Sequence, residues 1–168
     1  YQIGALQAFC RANGMTLQHV KPHGAMYNQA AKDPALAAAI ARAVRDAGEG
    51  IILMGLAHSE FEKAAKELGV PFAAEAFADR GYMPDGPLVP RSQPGAVIHD
   101  PAKAAERVVR MVTEGTVEAV DGTIINFRPD SICMHGDTPE AVEMAKAVRA
   151  ALEAAGVKVT NLKEVVLG

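Results

Sequence analysis

Residues 131–139 read Ser-Ile-Cys-Met-His-Gly-Asp-Thr-Pro, and this short stretch decides the fold class. Its first part is a strand candidate over 131–135. A His-Gly turn follows, and Thr138-Pro139 then places an N-cap side chain before a proline at the first helical position. Strand, turn and capped helix in immediate succession form the unit of an α/β fold. The same alternation runs outward through the chain. Further strand candidates fall at 16–21, 51–55, 71–77 and 157–160, separated by longer Ala-rich helical runs. That pattern belongs to parallel strands joined by helices. Asp33-Pro34 and Asp100-Pro101 repeat the capped helix start. Ser59 followed by Glu62 reads as a capping box, and Gly48, Gly69, Gly115 and Gly156 stop their helices.

Two segments break the alternation. Residues 117–127 carry Asp121-Gly122 between apolar runs, which predicts a β-hairpin with a tight primed turn. Residues 81–101 hold five of the ten prolines, with Gly81, Gly86 and Gly95 among them. Such a segment is neither a helix nor a central strand. It is too long for an ordinary connection, so it reads as a lid or active-site loop, or else as a plain surface excursion. No internal repeat or low-complexity linker divides residues 1–168, and a single domain is expected.

Composition narrows the function classes. The chain has 168 residues, 49% of them hydrophobic and 22% charged, enough apolar content for a real core and too much for disorder. A net charge of -3, spread along the chain, argues against a nucleic-acid footprint. No run approaches the roughly 18 apolar residues of a membrane span, and the Lys and Arg residues are scattered singly over helix faces, a solvated-surface pattern. Cys10 and Cys133 lie far apart, without a CxxC partner or a secretory signal, which points to a reducing cytoplasm. Cys10 falls in a helix-like stretch as a small buried hydrophobe.

In parallel α/β folds, ligands bind beyond the carboxyl ends of the strands. The ionisable residues collect there. Strand 16–21 runs into Lys21, Pro22, His23 and Gly24, then Tyr27 and Asn28. Strand 51–55 leads to His58. Strand 71–77 carries Glu75 and runs into Asp79, Arg80, Gly81 and Tyr82. Strand 131–135, with Cys133 inside it, ends in His135, Gly136 and Asp137. Three of the five histidines thus sit at strand ends. His23 and His135 each precede a glycine, which lets the backbone bend sharply and approach a ligand. For His58, beside Ser59 at a helix start, a backbone hydrogen bond competes with a functional role. Asp79-Arg80 reads either as a structural ion pair or as a carboxylate clamp through the Arg fork. Asp137 is either a cap for the following helix or a site residue. His19 and His99 read as structural.

Histidines and carboxylates converging from strand ends also suit an open metal site, with His23, His58, Asp79 and His135 as candidate ligands. No HxH or HExxH spacing supports one locally. There is no GxxxxGK[ST] loop and no GxGxxG after a strand, so a nucleotide is not held by either. Cys133 inside its strand is disfavoured as a nucleophile.

Four motifs occur in order: Val20-Lys21-Pro22-His23-Gly24-Ala25-Met26-Tyr27-Asn28, then Ala78-Asp79-Arg80-Gly81-Tyr82, then Leu88-Val89-Pro90-Arg91 with Gly95-Ala96-Val97, and finally residues 131–139. In these the sequence resembles the LamB/YcsF family, to which the 5-oxoprolinase A subunits belong. The resemblance implies an irregular β/α barrel of the roughly seven-stranded, deacetylase-like type. It also implies participation in ATP-dependent opening of 5-oxoproline to glutamate with partner subunits B and C. Family members carry further motifs before this region: an Asp-rich opening strand, a Cys-Gly-Phe-His turn and a Gly-Ala-His-Pro turn. None occurs here. The chain is therefore expected to be the C-terminal two-thirds of such a protein, with Tyr1 a truncation point. Its strands are too few to close a barrel of about seven or eight, leaving an incomplete barrel.

Opening a stable lactam benefits from phosphorylation of its carbonyl oxygen and needs a general acid/base, for which His23, His135 and Asp137 are the candidates. Lys21 and Arg80 would neutralise a substrate carboxylate or a phosphate. Glu75 or Asp79 would orient a histidine or bind Mg2+ accompanying ATP. Tyr27, Asn28, Tyr82 and Arg91 complete the candidates for substrate binding. A bound transition metal and a homo-oligomer stay open. The alternatives are a metal-dependent amide or sugar hydrolase that works without ATP, and a non-catalytic subunit that presents an acidic lactam to its partners.

Overall fold

Asp33 and Asp100 each turn a side-chain oxygen onto two backbone N–H groups, Ala35 and Leu36 in one case and Ala102 and Lys103 in the other. The two Asp-Pro helix starts are thus used as the sequence writes them. The computed structural model describes residues 1–168. In chain order the elements are α1 (Gln2–Ala12), β1 (His19–Val20), α2 (Gly24–Ala30), α3 (Pro34–Ala47), β2 (Ile52–Leu56), α4 (Glu60–Leu68), β3 (Phe72–Phe77), α5 (Pro101–Thr113), β4 (Thr116–Glu118), β5 (Ile124–Asn126), β6 (Ser131–Cys133), α6 (Ala141–Ala154) and α7 (Leu162–Leu167). A four-stranded sheet has the order β1-β2-β3-β6, and β4 pairs with β5 apart from it. The α/β class is as expected, with a strand count short of a closed barrel. None of the helices is long and apolar enough to cross a membrane.

The chain divides into two compact units, Tyr1–Ala74 with Leu162–Gly168, and Glu75–Asn161. In the first, β1 runs parallel to β2 with His19 opposite Ile52 and Val20 opposite Leu53. Every residue of β2 is buried, as a strand covered on both faces must be. Ala37, Ala41 and Val44 of α3 and Phe61, Ala64 and Ala65 of α4 supply buried helix faces, while Leu162 and Val166 of α7 pack on Ile52, Met54 and Ala73. In the second unit, β3 runs parallel to β6 with Glu75, Ala76 and Phe77 opposite Ser131, Ile132 and Cys133. Helices α5 and α6 bury Ala104, Val108, Met144, Val148 and Leu152 together with Ala78.

Several expectations are corrected. The strand expected at 16–21 is reduced to His19–Val20, because only these residues find partners on β2. Residues 157–160 join no ladder. Val157 gives its N–H to Leu152 O at 2.9 Å, closing α6, and its side chain packs on the α5–α6 cluster. Thr138-Pro139 does not cap a helix. Thr138 O accepts the N–H of Ala141 at 3.2 Å in a turn, and α6 begins after Glu140, which makes no side-chain cap. The hairpin exists, but its turn has three residues. Ala119 N–H bonds Thr123 O at 2.8 Å and Gly122 N–H bonds Ala119 O at 3.0 Å, with Gly122 alone at positive φ. That is a type I turn closed by a left-handed glycine; a primed turn would need Asp121 left-handed as well. Cys10 is only half-buried, on a helix that buries none of its residues. The four helix-stopping glycines lie one residue (Gly48, Gly69) or two residues (Gly115, Gly156) beyond their helices.

The segment 81–101 is folded onto its own unit. Tyr82, Val89 and Ala96 are buried, and isolated bridges join Arg80 to Val97 and Tyr82 to Leu88. Gly81 is the point of closest approach, where an added Cβ would run into the carbonyl oxygen of Gly95. Gly81→Ala is therefore expected to destabilise by about 2 kcal/mol or more. At Gly136 a Cβ meets nothing within 4 Å, and Gly136→Ala should stay within about 0.5 kcal/mol of the parent. Urea unfolding of the two variants checks the pair; equal stability loss would refute the close approach.

Candidate active site

The in-register pairing of β3 with β6 sets the geometry of the site. Phe77 lies opposite Cys133, and Ala78 N–H continues the ladder to Cys133 O at 2.9 Å. Just beyond, Asp79 and His135 meet. Oδ2 of Asp79 accepts the His135 backbone N–H at 3.2 Å and faces the ring Nδ1 at 2.7 Å. With the carboxylate as acceptor, the ring proton belongs on Nδ1, which leaves the Nε2 lone pair for other chemistry. The Asp79 side chain is 7% exposed and that of His135 24%. The imidazole stacks on Phe77, centroids 5.8 Å apart and planes at 20°. Oδ1 of Asp79 is buried and has no hydrogen-bond partner.

Arg80 turns the other way, away from Asp79. Its Nε donates to Ala96 O at 3.0 Å and its Nη2 to Val89 O at 2.6 Å, tying the 81–101 segment to the end of β3. Burial pulls the Arg80 pKa down, and the charge of Arg91 pulls it the same way, so the two guanidinium groups share one neighbourhood. Arg91 and Asp137, both well exposed, pair at 3.6 Å. Asp137 thus faces a cation and caps no helix. Tyr82 is buried, its hydroxyl oxygen accepting Phe77 N–H at 3.0 Å and its ring tilted against Phe127 at 5.8 Å. Glu75 is buried within β3. The chain bends at Gly136 directly after His135, without a left-handed glycine; Gly24, after His23, has a φ of 63°.

In the first unit the Lys21 ammonium lies 5.7 Å from the centroid of the Tyr27 ring, which is itself packed on Phe61 at 5.6 Å. His23 is exposed and precedes α2 without a side-chain cap, while Asn28 bonds back to Gly24 O at 3.2 Å within that helix. His58 has a φ of 58°, and its N–H bonds Glu62 Oε2 at 2.8 Å. Ser59 accepts from Phe61 N–H, so the capping box is displaced by one residue. His19 is exposed with Nδ1 3.2 Å from Gln18 Oε1, and His99 is exposed before α5. A cavity of about 220 Å³ lies at the opposite ends of β1 and β2, lined by Gln7, Cys10, Leu17 and Ile51 among others. No three or more His, Cys, Asp or Glu side chains are grouped to hold a metal ion.

One residue escapes the sequence reading. Arg107 of α5 stacks over the Tyr82 ring at 5.2 Å and bonds carbonyls at the end of β3. A signal is present, since this cation interrupts the buried stripe of Ala104, Ala105, Val108 and Met111.

A parallel sheet flanked by helices, with an Asp–His pair at adjoining strand ends, defines an α/β protein of the kind that binds ligands beyond its strand C-termini. The chain belongs to the LamB/YcsF family, whose pattern matches residues 1–167. It is 53% identical over 159 residues to the 5-oxoprolinase A subunit of Oceanobacillus iheyensis, covering 95% of this chain and 62% of that protein. The protein of the same name from Coprothermobacter proteolyticus is 55% identical over 162 residues, 96% of this chain and 62% of its own length. The crystal structure of the lactam utilization protein from Thermus thermophilus superposes with a TM-score of 0.87 at 50% identity, over 95% of this chain and 63% of that one. The chain thus spans somewhat less than two-thirds of the proteins it matches.

Burial pushes the Tyr82 hydroxyl far above the usual tyrosine value of 10.0, against the opposing hydrogen bond from Phe77. The folded state therefore keeps a proton that the unfolded chain releases above about pH 10, and stability falls as pH rises past that point. Tyr82→Phe removes this component. Denaturant unfolding of parent and variant should show the parent's advantage shrinking by about 1 kcal/mol between pH 8 and pH 11; a constant difference would contradict it.

Proposed function

We propose that this chain belongs to a cytoplasmic 5-oxoprolinase that opens 5-oxo-L-proline to L-glutamate with ATP and partner subunits, and that His135 transfers the proton. One observation carries the reading: the 2.7 Å contact of Asp79 Oδ2 with His135 Nδ1 at the ends of two paired strands. The names of the relatives and of the lactam utilization protein support the choice of substrate. Lactam hydrolysis adds water across the C–N bond. The attacking water loses a proton, and the departing ring nitrogen must gain one. An imidazole whose Nδ1 proton is held by a carboxylate offers Nε2 for both transfers, first as base and then as acid. Asp79 orients the ring and holds its proton on Nδ1.

An acidic lactam also needs a cation. Arg80 and Arg91 supply guanidinium groups within the same unit, the inner one fixed by two carbonyls and the outer one exposed. A carboxylate accepted there would compete with Asp137 for Arg91. ATP, when bound, would supply the phosphoryl group that activates the lactam carbonyl, and Arg91 has the exposure to meet a phosphate. The proton transfer at His135 is the same in either case.

Glutamate formation from 5-oxoproline, assayed with ATP and the partner subunits, tests this reading. His135→Gln is expected to lower kcat by about 100-fold or more with KM little changed. Full turnover in that variant would overturn the assignment. A loss confined to KM would instead mark a protein that only presents the substrate.

A further inference from the structure

Four consecutive carbonyls, those of residues 77–80, mark the point where the chain leaves β3. Asp79 O accepts the N–H of Ile98 at 2.9 Å. The other three converge on a single nitrogen, Nη1 of Arg107, with Arg80 O at 2.8 Å, Phe77 O at 3.2 Å and Ala78 O at 3.4 Å. The peptide group before Asp79 is therefore held from α5, and the one after it by Ile98. Tyr82, whose hydroxyl takes Phe77 N–H, lies under the same guanidinium at 5.2 Å. Ring and cation thus brace one turn of chain from two directions. Arg107 makes no contact with His135, and its charge is favoured by Tyr82 and by Asp79 against the cost of burial.

The pair at the strand ends depends on this bracing. A 2.7 Å contact ceases to be a hydrogen bond once its atoms separate by about 1 Å more. The Asp79 side chain leaves from a backbone whose neighbouring carbonyls are gathered by the Arg107 guanidinium. We propose that Arg107 is a positioning residue, fixing the backbone of residues 77–80 so that Asp79 holds the His135 imidazole with its proton on Nδ1. The consequence for catalysis rests on the reading of His135 as the proton-transferring group. The positioning itself does not.

The test reads the imidazole directly. The exchange of the His135 Nδ1 proton with water, and the ring nitrogen shifts that report its tautomer, are followed by NMR in the parent and in Arg107→Met, Arg107→Lys, Asp79→Ala and the Arg107→Met/Asp79→Ala double variant. Arg107→Met is expected to speed exchange by about tenfold, and Arg107→Lys, which keeps a cationic donor, to restore most of the protection. In the Asp79→Ala background, Arg107→Met should add less than about twofold, because the route through Asp79 is already cut.

A purely structural Arg107 would lower the melting temperature and leave exchange and tautomer within about twofold of the parent, which overturns the proposal. Equal effects in both backgrounds overturn it as well. Should Arg107→Met not fold, Arg107→Gln, whose amide NH2 cannot span three carbonyls and carries no charge, gives the same comparison with a smaller expected effect. Turnover keeps the two ideas apart. If His135→Gln retains activity while the imidazole still responds to Arg107, the functional reading falls and the positioning stands. If His135 is required and its ring ignores Arg107, the positioning falls alone.

Discussion

At the end of β3 the chain must leave the sheet without stranding its polar backbone groups, and that constraint organises the whole of the second unit. A carbonyl removed from its ladder and from water needs a donor, since leaving it unpaired costs about 1–3 kcal/mol. The unit answers with a guanidinium from α5, the N–H of Ile98 and the hydroxyl of Tyr82, which serves the amide side at Phe77. These partners come from segments far apart in sequence, so meeting them forces α5 and the 81–101 segment against the strand. The proline-rich segment keeps its place for the same reason. Arg80 donates into it, and Gly81 lets the two backbones close together. What composition marks as a long irregular loop is therefore a hydrogen-bonded part of the unit, anchored by buried Tyr82, Val89 and Ala96.

Local signals in the sequence read well where the structure is decided locally. Asp-Pro fixes a helix start through a backbone preference and two short hydrogen bonds, and both examples hold at Asp33 and Asp100. Thr138-Pro139 follows a similar pattern and does not start its helix, because the turn after His135 uses Thr138 O before α6 begins. Residues 157–160 have the β-branched look of a strand, yet a strand needs a neighbour with a free edge, and no local rule supplies one. The hairpin is legible from Asp121-Gly122, but its loop length is not. That depends on which residues pair across the turn, here Ala119 with Thr123.

The site shows the same division. Asp79 and His135 are legible because strand C-termini collect function, and the register of β3 on β6 brings them together. Their pairing is legible only in part: Asp79 reads as one of two carboxylates that would orient a histidine, without saying which histidine, while adjacency in sequence also offers an Asp79–Arg80 ion pair. Successive residues leaving a strand point to opposite sides, so the carboxylate faces His135 while the guanidinium enters the loop. Arg107 is hidden for a different reason. A lone arginine on a helix reads as surface, and only the apolar stripe around it says otherwise.

Asp79 is costly to the fold where it stands. Its Oδ2 is used twice by His135, while Oδ1 is sealed from water without a donor. A buried polar atom left this way destabilises the folded state, and an apolar side chain at this position would avoid the penalty. The fold offsets part of the cost with charge, since Arg107 and Asp79 interact favourably across the turn. That arrangement gains nothing for packing that a smaller residue would not. It gains a carboxylate held rigidly beside an imidazole, in surroundings dry enough to make the contact strong. In the proposed arrangement the guanidinium on α5 acts through the backbone of residues 77–80, and Oδ2 of Asp79 acts on the ring of His135.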